Sequence, residues 1–213
     1  MDKQTAKLIA RISENLPSDM DENVMQGWVD NPKGLQQVLR GALCPPRFRE
    51  KDGVIYLTVT SDGTTGEDWI TCLGENNLSK YAKDVLRSKD FQPTTGVVYE
   101  IAILKGMLFN DSDRITSKIR ANAEGRGWAK PHAEVACLIR KNFTNEEIEA
   151  MGLIWIITMH EPIKDSDGDP NLLSADRDDD GPGLDTYCDY PDYGWYRDDG
   201  FAFLVSQVLV PQA

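Results

Sequence analysis

Histidine is scarce in this chain: His132 and His160 are the only two among 213 residues. Zinc and non-haem iron centres of the usual kind draw on imidazole ligands. Two histidines with no cysteine close to them in sequence leave too few. His160-Glu161 opens like the metalloprotease motif HExxH, but Lys164 stands where the second histidine belongs. His132 is expected at the surface or as a cap near a helix start, and His160 at a strand end, bonding a loop. Cysteine is sparse too: Cys44, Cys72, Cys137 and Cys188 form no CxxC pair. Cys72 and Cys137 fall in expected helices among apolar neighbours, where a free thiol acts as a small hydrophobe. A reducing compartment, the cytoplasm by default, is therefore expected. No apolar run approaches the roughly 18 residues that suggest a membrane-crossing helix. The stretch MDKQTAKLIARISENL lacks the apolar core of a signal peptide. There is no G-x-S-x-G, no P-loop and no Gly-rich dinucleotide turn.

Positive charge is in deficit. Thirty-five acids face 23 bases, for a net charge of −12, which argues against a general nucleic-acid binder with its surplus of Lys and Arg. The imbalance is local. Residues 161–200 hold Glu161 and twelve Asp against Lys164, Arg177 and Arg197. Residues 112–143 run the other way, with Arg114, Lys118, Arg120, Arg126, Lys130, Arg140 and Lys141 against three acids. That basic stretch reads as the solvated face of amphipathic helices, with phosphate binding or docking of an acidic partner as the sharper alternatives. The apolar fraction of 40 % is enough for a real core.

Periodicity organises the rest. Residues 1–50 read as a small helical segment of three helices: one over 2–15, one from Ser18 to before Pro32, and one ended by Pro45-Pro46. Residues 53–61 alternate and are β-branched, as a strand does. Helices are expected at TGEDWITCL and at LSKYAKDVLRSKDF, the second capped by Ser79, followed by a strand over 96–106. Two further helices follow, with Pro131 in the first turn of the second. TNEEIEAMG carries a capping box, Thr144 with Glu147, and a Gly152 stop. Residues 153–160 and FAFLVSQVLV read as strands, with loop-rich chain from 161 to 200 between them.

Two features in that acidic chain suggest binding. DSDGDPNLLSAD places Asp165, Asp167, Asp169, Asn171 and Asp176 at ligand positions of an EF-hand-like calcium loop. Pro170 stands where the sharp turn wants Gly, the last ligand is Asp rather than Glu, and no helix pair flanks the loop. The alternative is a solvated acidic turn. Downstream, Tyr187, Tyr190, Tyr193, Trp195 and Tyr196 are interleaved with Asp176, Asp178, Asp179, Asp180, Asp185, Asp189, Asp192, Asp198 and Asp199. Rigid aromatic area among short polar residues is the composition of a paratope; a low-complexity acidic loop is the plain alternative. Changing the adenines of an AAC codon yields Asp, Tyr, His, Ser, Thr, Ile, Gly or Cys, a set on which residues 176–199 draw heavily. No single carboxylate pair stands out as a hydrolytic dyad.

Arg177, Gly181, Pro191, Trp195 and Arg197, followed by Gly200-Phe201-Ala202-Phe203, resemble the C-terminal variable region of diversity-generating retroelement variable proteins. The resemblance spans residues 53–213. It implies an α+β, C-type-lectin-like mixed sheet of the formylglycine-generating-enzyme branch, with flanking helices over 51–213 and a diversified surface at 176–199. Gly183, Trp195, Gly200, Phe201 and Phe203 would hold its frame. The chain departs from the family at Ala202-Phe203, in the residues that continue after them, and in the helical 107–152 insertion. It lacks the cysteine pair of the oxidase chemistry, so the resemblance implies no such activity. The expectation is a non-enzymatic protein without a cofactor, binding a protein or glycan ligand. A Ca2+-dependent carbohydrate-binding module on 165–176 and a hydrolase using acidic residues are the alternatives.

Overall fold

The computed structural model describes residues 2–17, 19–43, 47–178 and 181–209. Ser18, Cys44, Pro45, Pro46, Asp179 and Asp180 lie outside the described residues. The chain divides into two compact units, Met1–Pro46 and Arg47–Ala213.

The first unit is three helices. Helix α1 (Lys3–Glu14) starts where the Asp2 side chain accepts from the N–H groups of Gln4 and Thr5. Helix α2 (Glu22–Asp30) is capped by Asp21, whose carboxylate takes the Val24 N–H at 2.9 Å. Helix α3 (Pro32–Leu43) opens on Pro32, at the turn where a missing N–H costs nothing. Neither α1 nor α2 buries a residue.

The second unit is α+β. Strands β1 (Phe48–Lys51) and β2 (Val54–Asp62) form a hairpin. Its turn is Asp52-Gly53, at φ 53° and 75°, the backbone a two-residue type I′ turn requires. Helices α4 (Gly66–Leu73) and α5 (Lys80–Arg87) follow, capped by Thr65 and Ser79. Then come strand β3 (Thr95–Lys105), helix α6 (Thr116–Gly125), helix α7 (Glu134–Asn142) and helix α8 (Asn145–Ala150). Helix α8 begins with the expected Thr144–Glu147 capping box. Pro131 precedes α7 rather than entering it, because Ala133 is the N-cap.

Strands β4 (Trp155–Thr158), β5 (Ile163–Lys164), β6 (Pro170–Asp178), β7 (Gly181–Cys188) and β8 (Asp199–Leu209) complete the unit. Among the described residues the molecule thus has eight α-helices and one eight-stranded mixed sheet. The sheet runs β1-β2-β3-β8-β4-β6, with β5 and β7 also paired to β6. Every pair is antiparallel except β4 with β8. Both faces of the sheet are covered, so β3 is buried on every residue from Ile101 to Lys105. Helices α4, α5, α7 and α8 pack one face, around Ile55, Trp69, Val85, Ile101, Ile139 and Ile148. Helix α6 packs the other, where Ile119 and Ala123 meet Leu104, Phe201, Phe203 and Trp195.

The acidic segment is therefore not loop-rich. Strands β6 and β7 pair antiparallel and continue the sheet. Leu172 belongs to one core and Leu173 with Ala175 to the other, so the strand lacks the polar–apolar alternation of a half-exposed one.

Candidate functional site

The candidate surface is built on the register of three strands. Trp155 of β4 stands opposite Asp176 of β6 on one side and Asp199 of β8 on the other. Residues directly opposite one another share a face, so an indole lies between two acids on the face that α6 packs. Across the β6–β7 pair, Asp176 meets Gly183, Ser174 meets Asp185 and Leu172 meets Tyr187. Tyr187 thus shares the face of Trp155, at a ring-centroid distance of 6.2 Å.

The loop 189–198 closes over these strands. Trp195 is its buried centre. Its ring lies 4.6 Å from Tyr193, 5.4 Å from Tyr187 and 5.4 Å from Phe201, all tilted or edge-on, as ring quadrupoles prefer. Backbone bonds lace the loop to the start of α6. The N–H groups of Thr116 and Ser117 donate to the carbonyls of Tyr193 (3.2 Å) and Pro191 (3.0 Å), and Trp195 N–H donates to Arg114 O at 3.0 Å. Helix α6 has no side-chain cap at Ile115; the loop carbonyls take its unsatisfied first-turn donors instead. At the far end, a Cβ on Gly106 would stand 2.2 Å from Tyr196 O. Only glycine lets β3's exit lie this close beneath the loop.

The carboxylates divide into frame and surface. Asp176 is buried, and Ser174 Oγ donates to it at 2.5 Å. Asp199 is buried, and its Oδ2 accepts the Tyr196 N–H at 2.7 Å. Its Oδ1 has no partner and is closed off from solvent. Burial, with Asp198 adding repulsion, pushes the Asp199 carboxyl up to about 6. Burial likewise pushes the Tyr187 phenol up, and Asp176, Asp185 and Asp199 reinforce it. Asp189 is held by Arg120 of α6, whose Nη1 lies 2.8 Å from Oδ1 and 2.9 Å from Oδ2. Asp185 is half-buried, and its Oδ1 takes the Thr186 N–H. The side chains exposed on the loop are Tyr190, Pro191, Asp192, Tyr196, Arg197 and Asp198. The Tyr190 hydroxyl donates to Asp169. Asp178 closes β6, and Asp179 and Asp180 lie outside the described residues.

The 176–199 stretch is thus not one displayed surface. Asp176, Trp195 and Asp199 are frame, alongside Gly200, Phe201 and Phe203, all buried. No sequence signal separates them from the exposed acids and aromatics, because residue types alternate through the segment without a fixed period.

The calcium loop is also corrected. Strand β6 begins at Pro170, so Asn171 and Asp176 lie five residues apart on extended chain, roughly 16 Å. One ion cannot reach both. The Asp165 carboxylate is engaged by protein donors: the N–H groups of Asp167 and Asp169 and the amide of Asn171. It shapes the turn between β5 and β6. Among the described residues no three His, Cys, Asp or Glu side chains are grouped to hold a metal ion.

The basic stretch is in part the solvated face expected, with Lys118, Arg126, Lys130 and Lys141 exposed. Arg114 and Arg140 are buried on backbone carbonyls. Lys118 pairs with Asp113, Lys130 with Glu161 and Lys141 with Asp62. Cys72 is exposed rather than packed, whereas Cys137 is buried.

The two histidines line one depression of about 290 Å³ with Asp90, Gln92, Lys130 and Glu161. His160 bonds a strand rather than only a loop. Its Nε2 accepts the Leu173 N–H at 2.9 Å, so the proton sits on Nδ1, which donates to Glu161 O at 2.6 Å. Burial pulls its pKa down to about 4. A ring spent in this way offers nothing to a substrate.

Among the described residues no helix is long and apolar enough to cross a membrane. Comparison with protein-family models, curated proteins and solved structures gives no match for this chain.

Proposed function

We propose that the protein is a non-enzymatic ligand-binding protein whose recognition surface is the 189–198 loop, on a C-type-lectin-like scaffold of the retroelement-diversified type. One observation carries this reading. Tyr190, Asp192, Tyr196 and Asp198 are exposed on a loop whose backbone is held by α6, Gly106 and the buried Trp195. Exposed aromatic and acidic side chains on an immobile base give contact area without a large ordering cost. The C-terminal strand bearing Gly200-Phe201-Ala202-Phe203 lies in the middle of the sheet, directly after the loop, which supports the scaffold assignment. The diversified set is narrowed accordingly: variation at Asp176, Trp195 or Asp199 would break the frame. The bound partner is a protein or glycan that meets an acidic, aromatic surface.

Sequencing the genomic locus tests the retroelement origin. A nearby reverse transcriptase and a near-copy of the 3′ end, differing at adenines of the Tyr190, Asp192, Tyr196 and Asp198 codons, would support it. A locus with neither, or with substitutions concentrated at the frame codons, would sink it. The binding surface itself is tested by display of a library randomised at those four positions. Selection should yield folded binders, and a library in which most clones fail to fold would remove the loop as a tolerant surface.

The acid-hydrolase alternative draws on Asp199, whose proton affinity lies in the range of general acids. Its closed-off Oδ1 and its bond to the Tyr196 N–H favour a supporting role in the loop instead.

A further inference from the structure

The Met1–Pro46 unit leaves apolar surface uncovered. Leu8 and Ile9 on α1, Leu16 just past its end, and Val24, Met25 and Val29 on α2 are each 40 to 69 % exposed. Among the described residues neither helix buries a side chain. The surface is patterned. Leu8, Ile12 and Leu16 recur every fourth residue with Ile9 beside them, and Val24, Met25, Trp28 and Val29 fall at i, i+1, i+4 and i+5. Each set makes a single stripe along its helix. Helices this short do not hold themselves. With 12 and 9 residues they are at or below the roughly 12–15 at which an isolated helix is marginal in water, so their stripes need cover. The unit is also close to the roughly 40 residues below which a chain commonly relies on oligomerisation for what a small core cannot supply.

We propose that the Met1–Pro46 unit is a dimerisation element, in which α1 of one copy lays its apolar stripe on that of α2 in a second copy, and reciprocally. Within one copy the two stripes do not cover each other, because residues on both remain exposed. Charge selects the occupant. Helix α1 carries Lys3, Lys7 and Arg11 against Glu14, whereas α2 carries Glu22 and Asp30, is capped by Asp21 and has no base. A cover that suits both helices is acidic opposite α1 and basic opposite α2. A second copy presents that arrangement in a two-fold dimer, where each contact occurs twice. Two copies of α1 face to face would instead set like charges together. The rest of the chain does not match. Met1–Pro46 holds six acids and five bases, a charge of −1, so the remaining residues carry −11 of the total −12. That charge suits α1 and repels α2. An anionic lipid surface, a usual seat for a basic amphipathic helix, fails on α2 in the same way. The apolar stripes supply the affinity, and the complementary charges fix partner and orientation. The element does not depend on what the 189–198 loop binds.

The test is analytical ultracentrifugation of the full-length chain at low salt across the micromolar range. The unsubstituted protein should pass from monomer to dimer as its concentration rises. Leu8→Glu with Ile9→Glu should weaken dimerisation at least tenfold. Two further variants leave the apolar stripes intact. Lys7→Glu with Arg11→Glu makes α1 acidic, and Glu22→Lys with Asp30→Lys makes α2 basic. Each alone should dimerise at least tenfold more weakly than the parent, because α1 then meets an α2 of its own sign. An equimolar mixture of these two should regain dimer, since both α1–α2 contacts are again of opposite sign. The proposal is overturned if the unsubstituted chain stays monomeric throughout, if the Leu8→Glu, Ile9→Glu chain dimerises unchanged, or if the mixture forms no more dimer than its components do. Co-sedimentation with phosphatidylserine vesicles by a chain that stays monomeric, lost on Leu8→Glu with Ile9→Glu, would assign the face to a lipid surface and overturn it too.

Discussion

The indole of Trp195 donates a 3.0 Å hydrogen bond from Nε1 to Oγ1 of Thr116, so the centre of the loop is pinned to the first turn of α6. Residue 195 therefore acts on stability before it acts on any ligand. Trp195→Phe keeps most of the ring packing but strands a buried hydroxyl, at a cost of about 1–2 kcal/mol. Trp195→Ala also empties the space between Tyr187, Tyr193 and Phe201, at a cost of about 3–5 kcal/mol. Urea unfolding measures both. If both variants were as stable as the parent, Trp195 would be a displayed contact residue rather than part of the frame.

The ion pair of Arg120 with Asp189 makes a second prediction. Asp189 is the buried partner, its side chain 5 % exposed against 19 % for Arg120. Removing it leaves a largely buried guanidinium with no counter-charge. Asp189→Ala should cost roughly 3 kcal/mol, much more than the loss of an exposed acid. Replacing both partners, as in Arg120→Met with Asp189→Leu, should recover most of that loss, because no charge is then left behind. Equal stability of the single and double variants would show that the pair is not coupled.

The fold was legible where local rules decide it. Ser79 caps its helix as its residue type requires, and Thr144 and Glu147 form their box; the Asp52-Gly53 hairpin, with β1 inside the stretch expected to be helical, went unread. It was illegible where tertiary cover overrode the period. Leu172 and Leu173 face opposite cores, so β6 read as coil between acids. The calcium spacing failed for the same reason, since a strand carries Asp176 away from Asp165. The site was half legible. Composition pointed to 176–199, but nothing local says that Asp199 is closed off while Asp198 is exposed. That division comes from β8 pairing with β4 and from the loop carbonyls that cap α6. Arg120 was one base in a basic stretch until its partner Asp189, 69 residues away, came beside it.

The exposed set should behave oppositely to the frame. Tyr190, Asp192, Tyr196 and Asp198 are each exposed, and their truncation leaves no cavity. Alanine at each should change stability by no more than about 0.5 kcal/mol. Tyr190 also gives up a hydrogen bond to Asp169, exposed and easily replaced by water. Thermal melting of the four single variants checks this. A loss of several degrees in Tyr196→Ala would mean that its ring, 6.3 Å from Trp155, helps to hold the loop.

Two buried groups should give opposing pH dependences. His160 titrates near 4 in the folded protein, below its ordinary value of about 6.5. The unfolded chain therefore binds the extra proton first, and the His160 contribution is lost as pH falls from about 6.5 towards 4. Asp199 titrates near 6 when folded, above the ordinary aspartate value of about 3.9. Here the folded protein holds the proton longer, and stability is lost as pH rises from about 4 through 6. Between pH 4 and 6 the two slopes oppose, each by at most about 1.4 kcal/mol per pH unit. Asp199→Asn should therefore be stabilising at pH 7 relative to the parent and should lose stability more steeply on acidification. His160→Gln can keep an acceptor for the Leu173 N–H, and should show the reverse: relative to the parent, it gains as pH falls from 6 to 4. Urea midpoints at pH 4, 5, 6 and 7 for the parent and both variants decide it. The other carboxylates are common to all three proteins and cancel in the differences. Difference curves that run flat, or slope the same way, would show that these two side chains do not carry the linkage their burial assigns them.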